Sequence, residues 1–303
     1  MIKVEDIKKS FSGHHVLKGV SFEVADGSIY GLIGKNGAGK TTLMNIMTGL
    51  LKADAGSCSF LRGGNLQNDG NKKAKDIKSN QLKIGFLPDL PAFYEYLTTD
   101  EYIDFLFMDS DVKRRNELLE MVDLPSGVKI KTMSRGMRQR LGIAGVLVGD
   151  PDVIMMDEPT SALDPSGRND VKNILMHLKN QGKTIILSTH ILADMDSICD
   201  KAGFLSNGVI VKEVDVKDSK KNVSEIEVIF ASKPDLDQLY RYAPKIILMN
   251  PKDPRIIKIE IDENDHMNSQ QSALQGLATL KQEIISIKSS SVSLDSIFQE
   301  VCV

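Results

Sequence analysis

The stretch Gly34-Lys35-Asn36-Gly37-Ala38-Gly39-Lys40-Thr41 constrains this chain more than any other segment. It fits G-x-x-x-x-G-K-[ST] and stands between two segments of the kind that motif requires. Before it, Ile29 to Ile33 is a compact apolar run that reads as a strand buried on both faces. After it, Leu43, Ile46, Met47 and Leu50 recur at helical spacing. Strand, glycine-rich turn and helix in that order let backbone amides and the positive end of a helix wrap a phosphate. Lys40 then neutralises the β and γ phosphates of a nucleotide, the Thr41 hydroxyl can ligate magnesium, and Thr42 gives local support.

A second feature answers the first. Val153-Ile154-Met155-Met156 is an apolar strand that runs into Asp157 and Glu158, a costly place for two carboxylates unless something pairs with them. Asp157 suits magnesium, and Glu158 suits the polarisation of a water that attacks a γ phosphate. The next apolar strand, Thr184 to Ser188, closes with Thr189 and His190. Because ligands of an open parallel sheet collect at the carboxyl ends of its strands, that imidazole reaches the same edge.

Composition narrows the partners. The chain has 303 residues, room for two modules, with 41% apolar and 26% charged residues, an ordinary globular balance. Lys and Arg number 38 against 41 Asp and Glu, so the net charge of -3 gives no bulk attraction to nucleic acid or an anionic bilayer. Cys58, Cys199 and Cys302 are far apart with no CxxC pair, which suggests neither a disulfide framework nor a zinc site and fits a reducing cytoplasm. Charges break every apolar stretch of the amino terminus, and no later apolar run approaches a membrane span. Any membrane role must come through a partner.

Along the chain, Ile2 to Glu23 reads as short strands around a turn, broken at Gly13 and Gly19. Residues 62–83 read as a solvated, lysine-rich connector without the aromatic residues that stack on bases. Ile84 to Leu87 is a brief strand ending at Pro88, and Thr99 to Met121 carries helical spacing. The expected fold is α/β: a P-loop NTPase-type, mostly parallel sheet with an antiparallel edge layer and a helical subdomain at about 90–145, all within 1–213. A charged linker over 214–222 then leads to a small α+β accessory domain at 223–303, ferredoxin-like in its element order. That second domain shows no catalytic cluster and no repeat of the first.

Met133-Ser134-Arg135-Gly136-Met137-Arg138-Gln139-Arg140 lies between the glycine-rich loop and the acidic strand. With IMMDEPTSALD and STH following in order, residues 1 to about 213 strongly resemble the ATP-binding subunit of an ABC transporter. The resemblance implies ATP and magnesium as cofactors. It gives Phe11 the adenine, the loop from Gly34 through Lys35, Asn36, Gly37, Ala38 and Gly39 to Thr41 the phosphates, Asp157 the metal, Glu158 the role of base, and His190 the γ phosphate and the orientation of Glu158. It also implies that Ser134 and Gly136 face the ATP of an opposing chain, with Asp164 in the contact between the two. Each chain then holds half of each of two composite sites. A second ATP-binding subunit, identical or related, and a multi-spanning permease follow as partners, and the cytoplasmic face of the membrane as location.

Three departures bear on that expectation. The family signature usually begins Leu-Ser-Gly-Gly-Gln, and Met133, Arg135 and Met137 replace three of those residues, a pattern similar to subunits of ABC-2 exporters. Lys35 replaces the usual proline. Asp89 stands where the family generally has a glutamine that senses magnesium and water, so it is a candidate catalytic and metal residue that matters for coupling more than for ATP binding. Tyr94, Tyr96 and Leu97 form a candidate coupling patch. The expected function is an ATPase that dimerises around two ATP molecules and drives export. A soluble ABC ATPase remodelling a protein or nucleic-acid assembly is the alternative, weakened by the single ATP-binding domain and the lack of a long coiled-coil insertion. A nucleotide-controlled scaffold is a third, which Glu158 and His190 oppose.

Overall fold

The computed structural model describes residues 1–61, 82–107, 111–161, 163–216, 223–243, 246–248, 253–261, 266–291 and 294–302. Most of the connector expected at 62–83, and residues 217–222 of the linker, lie outside them. The strands are β1 (Ile2–Phe11), β2 (His14–Val24), β3 (Ile29–Ile33), β4 (Ala55–Phe60), β5 (Ile84–Leu87), β6 (Val153–Asp157), β7 (Thr184–Thr189), β8 (Lys201–Ser206), β9 (Val209–Asp215), β10 (Val223–Phe230), β11 (Ile246–Leu248), β12 (Ile256–Glu260) and β13 (Ile284–Ser291). The helices are α1 (Lys40–Met47), α2 (Thr99–Leu106), α3 (Val112–Met121), α4 (Arg135–Leu147), α5 (Pro165–Asn180), α6 (Leu192–Ile198), α7 (Leu236–Leu239), α8 (His266–Thr279) and α9 (Leu294–Cys302).

Two compact units result, one of Met1–Val214 with Phe298–Val303, the other of Asp215–Ile297. In the first, a six-stranded sheet runs β5-β6-β7-β3-β8-β9, and the pairs from β5 to β8 are parallel. Every residue of β3, β6 and β7 is buried, the signature of strands covered on both faces. A separate antiparallel sheet, β2-β1-β4, packs with α1 over one face. Ile2, Val4, Ile7, Leu17, Val20 and Phe22 meet Leu32, Leu43, Met44 and Met155 there. Full burial of each such side chain contributes about 1.5–3 kcal/mol.

The amino-terminal segment differs from the broken strands expected of it. β1 and β2 are two long strands joined at Ser12-Gly13, and only the first of the expected breakers turns the chain. Gly19 stays within β2, where a register shift between Val4 and Ile7 brings Asp6 over it. A Cβ on Gly19 would lie 2.7 Å from Asp6 Oδ1, so the glycine admits a bulge and breaks nothing.

Helix α2 begins at a capping box in which Thr98 and Glu101 bond each other's backbone amides. A single 3₁₀ turn at Ile130–Thr132 leads to Ser134, which caps α4 by accepting from Met137 N. The second unit carries a four-stranded sheet in the order β11-β12-β10-β13, antiparallel throughout. Its core sets Ile226, Val228, Phe230, Ile257 and Ile259 against Leu239, Ala273 and Leu277, strands reading at period two and helices at three to four. No helix of the described residues is long and apolar enough to cross a membrane.

Candidate active site

Lys40 opens α1 directly after Gly39, whose φ of 105° is closed to most side chains. A Cβ on Gly39 would also stand 2.8 Å from Leu17. The Lys40 side chain is only 6% exposed, yet its ammonium is not isolated. It donates to Gly34 O at 2.7 Å and lies 3.3 Å from Glu158 Oε1. Burying an unpaired ammonium costs several kcal/mol, so these partners offset that cost and aim the side chain across the loop. Thr41, one residue on, donates its hydroxyl to Asp157 Oδ2 at 2.5 Å.

Asp157 is the last residue of β6 and 1% exposed, and its second oxygen accepts from Ser188 Oγ of β7. Glu158 leaves the sheet with a φ of 50°, a left-handed conformation uncommon for glutamate. Its backbone amide stays tied to β7, donating to Ser188 O and Ser188 Oγ at 3.1 Å each. Its carboxylate, 11% exposed, bridges Lys40 on one side and His190 Nδ1 at 2.8 Å on the other. Glu158 Oε1, the oxygen that faces the Lys40 ammonium, is buried and makes no hydrogen bond. Lys40, Thr41, Asp157, Glu158 and His190 therefore meet at one sheet edge.

Beside the loop, a cavity of about 420 Å³ is lined by Lys35, Asn36, Gly37 and Ala38, by His14, His15 and Val16 of β2, and by the turn at Asn207-Gly208. Phe11 is 45% exposed, so it is not a core aromatic. A second cavity of about 480 Å³ holds Ser134, Arg135, Gly136, Leu163 and Asp164, with no residue of the phosphate loop. Arg135 makes no ion pair among the described residues. Asp89 is exposed beyond β5, and its Oδ1 accepts from Ser161 Oγ at 3.4 Å. Thr42 is half-buried on α1.

The residues fit magnesium. Asp157, buried, and Thr41, exposed at the start of α1, form a pair of hard oxygen donors, and magnesium takes one or two carboxylates together with phosphate oxygens and water. A self-sufficient protein cage is not needed, and none of three or more ligating His, Cys, Asp or Glu occurs among the described residues.

Residues 17–161 match the ABC transporter family. The uncharacterized ABC transporter ATP-binding protein YxlF of Bacillus subtilis is 32% identical over 271 residues, covering 87% of each chain. The chain belongs to the ABC transporter ATP-binding family. A second relative, the uncharacterized ATP-binding protein sll0415 of Synechocystis, is 38% identical over 205 residues, 64% of this chain and 55% of that one. The lantibiotic transport ATP-binding protein SrtF of Streptococcus pyogenes is 34% identical over 75% of this chain and 95% of its own. Among solved structures, dimeric MJ0796, a bacterial ABC transporter cassette, superposes with a TM-score of 0.61 at 27% identity, over 71% of this chain and 99% of that one.

As an ABC transporter ATP-binding subunit the chain is an ATPase that powers transport, and its candidate site includes one residue that sequence reasoning passed over. Ser188 ties Asp157 to the Glu158 backbone. Its position at the end of a strand, two residues before His190, was the available signal. Lys9, which lies over the Phe11 ring, and Asp54, which bonds Lys9, left no such signal.

Proposed function

We propose that two copies of this subunit, or this one and a related one, close around two ATP molecules and drive export through a separate multi-spanning permease. Lys40 and the amides of the phosphate loop hold the β and γ phosphates, and Phe11 takes the adenine. Thr41 and Asp157 hold magnesium, which when bound supplies Lewis-acid polarisation of the terminal phosphates. Glu158 accepts the proton of the attacking water, and His190 fixes the carboxylate that does so. Asp89 reports the state of that edge through Ser161, three residues beyond Glu158.

The observation that carries the dimer is the separation of the two cavities. The surface of Ser134, Gly136 and Asp164 is open and shares no residue with the phosphate loop of its own chain. It is complete only when it meets a phosphate held elsewhere. Export is supported by the signature Met133-Ser134-Arg135-Gly136-Met137 and by the likeness to SrtF, named for lantibiotic transport. For the permease, a groove of about 750 Å³ lies between β5 and α4, with Phe86, Pro91, Tyr102 and Leu106 in its lining. Leu90, Tyr94, Tyr96 and Phe105 stand exposed nearby, and apolar exposure on this scale marks docking.

Mixing two inactive variants tests the composite site. Lys40→Ala removes the phosphate grip, and Ser134→Glu places a carboxylate where the opposing γ phosphate belongs. Mixed pairs retain one intact site, so ATPase activity reappears on mixing. Mixed pairs that form and stay inactive reject the reading.

A further inference from the structure

We propose that Lys9 and Asp54 are positioning residues that hold Phe11 as the platform for the purine of the nucleotide, an inference that rests on the assignment of Phe11 made above. Phe11 sits at the tip of a hairpin that turns through two left-handed residues, Ser12 with φ 48° and Gly13 with φ 85°, and pairs with His14. Ser12, Gly13 and His14 are exposed like Phe11, so no core beneath the tip fixes the ring.

What fixes it comes from the segment before β4. Asp54 Oδ1 accepts from Lys9 Nζ at 2.8 Å, and Asp54 Oδ2 accepts from Ser10 N at 2.7 Å. The Asp54 amide in turn donates to Lys8 O at 2.8 Å. Three contacts thus clamp the end of β1 from outside the hairpin. The Lys9 bond, followed by the Ser10 amide, holds the Asp54 carboxyl below the usual carboxylate range. Lys9 is unusually covered for a lysine, its side chain 14% exposed, and its ammonium lies over the Phe11 ring, 5.4 Å from the centroid.

A cation over an aromatic face is attracted by the ring quadrupole. One side of Phe11 is therefore held against a charge that Asp54 pins, while 45% of the side chain stays open. A purine stacks on the open part. Next to it, Ser10 Oγ bonds His15 Nδ1 at 2.8 Å, and His15 lines the same cavity as Lys35, Asn36, Gly37 and Ala38. The clamp thus ends where the phosphate loop begins.

The test compares a ligand that has a base with one that lacks it. ATP turnover is measured for Lys9→Met, Lys9→Arg, Asp54→Ala and Phe11→Ala, along with competitive inhibition by inorganic tripolyphosphate. Lys9→Met and Asp54→Ala are expected to raise the KM for ATP about three- to tenfold with kcat within about twofold, while inhibition by tripolyphosphate stays as in the parent. Lys9→Arg keeps the cation and restores the parent KM. Phe11→Ala raises KM about tenfold, and adding Lys9→Met to it changes nothing more. A parent-like KM in Lys9→Met, or equal weakening of ATP and tripolyphosphate, overturns the proposal. If Phe11→Ala itself leaves KM unchanged, the purine lies elsewhere and the assignment of Phe11 fails with it. If Phe11→Ala raises KM and Lys9→Met does not, the clamp alone is wrong.

Discussion

Glu158 pairs two features that rarely coincide, a left-handed backbone and a carboxylate held between a lysine and a histidine. Strain of that kind persists only where surrounding bonds over-determine it, and the two Ser188 contacts to its amide do so. Glu158→Gln keeps shape and hydrogen bonding but cannot take a proton. Phosphate release should fall by about 10²–10⁴-fold while ATP binding, followed by equilibrium titration, is retained; unchanged turnover would remove Glu158 from the reaction. Cys58 behaves in the opposite way. Burial pushes its thiol up from the usual thiol range to about 11, so the neutral form is the one the fold favours. Its contribution to stability is complete below the unfolded value and is lost as pH rises toward about 11. At pH 8 it should react with iodoacetamide about 100-fold more slowly than a solvent-exposed cysteine, read by mass spectrometry of the Cys58 peptide. Residues that act through fixed spacing, Lys40, Thr41, Asp157, Glu158 and His190, could be read from the chain. Lys9 and Asp54 could not, being 45 positions apart, and Ser188 offered only its place near the end of a strand, since the carboxylate it bonds is 31 positions away.

Two caps separate stability from association at the level of elements. Thr98 caps α2 in a reciprocal box with Glu101 and lines neither the cavity beside the phosphate loop nor the one that holds Ser134. Asp164 caps α5 by accepting from Gly167 N at 2.8 Å and also lines the cavity with Ser134 and Gly136. Replacing either with alanine should cost about 1 kcal/mol in urea unfolding. Thr98→Ala should leave ATPase activity unchanged, whereas Asp164→Ala should also weaken ATP-dependent pairing; equal effects on activity would reduce Asp164 to a cap. The elements themselves were legible where burial is two-sided, since β3, β6 and β7 carry uninterrupted apolar runs. The amino-terminal hairpin was less so. A glycine at a bulge and a glycine in a turn look alike in sequence, and only the register of β1 against β2 tells Gly19 from Gly13.

Across the whole molecule, nucleotide that forms part of an interface must stabilise that interface by linkage. Glu158→Gln should therefore sediment at twice the subunit mass with ATP and magnesium and return to a single subunit with ADP. If the partner is a related chain, the doubling appears only when that chain is added. A subunit mass with ATP and every such partner would oppose the paired arrangement. The motif order along the chain determined the family, the α/β class and the candidate phosphate-handling residues, because backbone amides around a phosphate demand glycines, a lysine and a strand-to-helix turn at set intervals. Tertiary structure alone decided which distant groups complete each of them. It set Ser188 under Asp157, Asp54 against Lys9, and Ser134 beside Asp164 away from its own phosphate loop. Those contacts join segments whose approach is dictated by how sheets and helices pack, and pairings of that kind carry no period or spacing that a linear reading could detect.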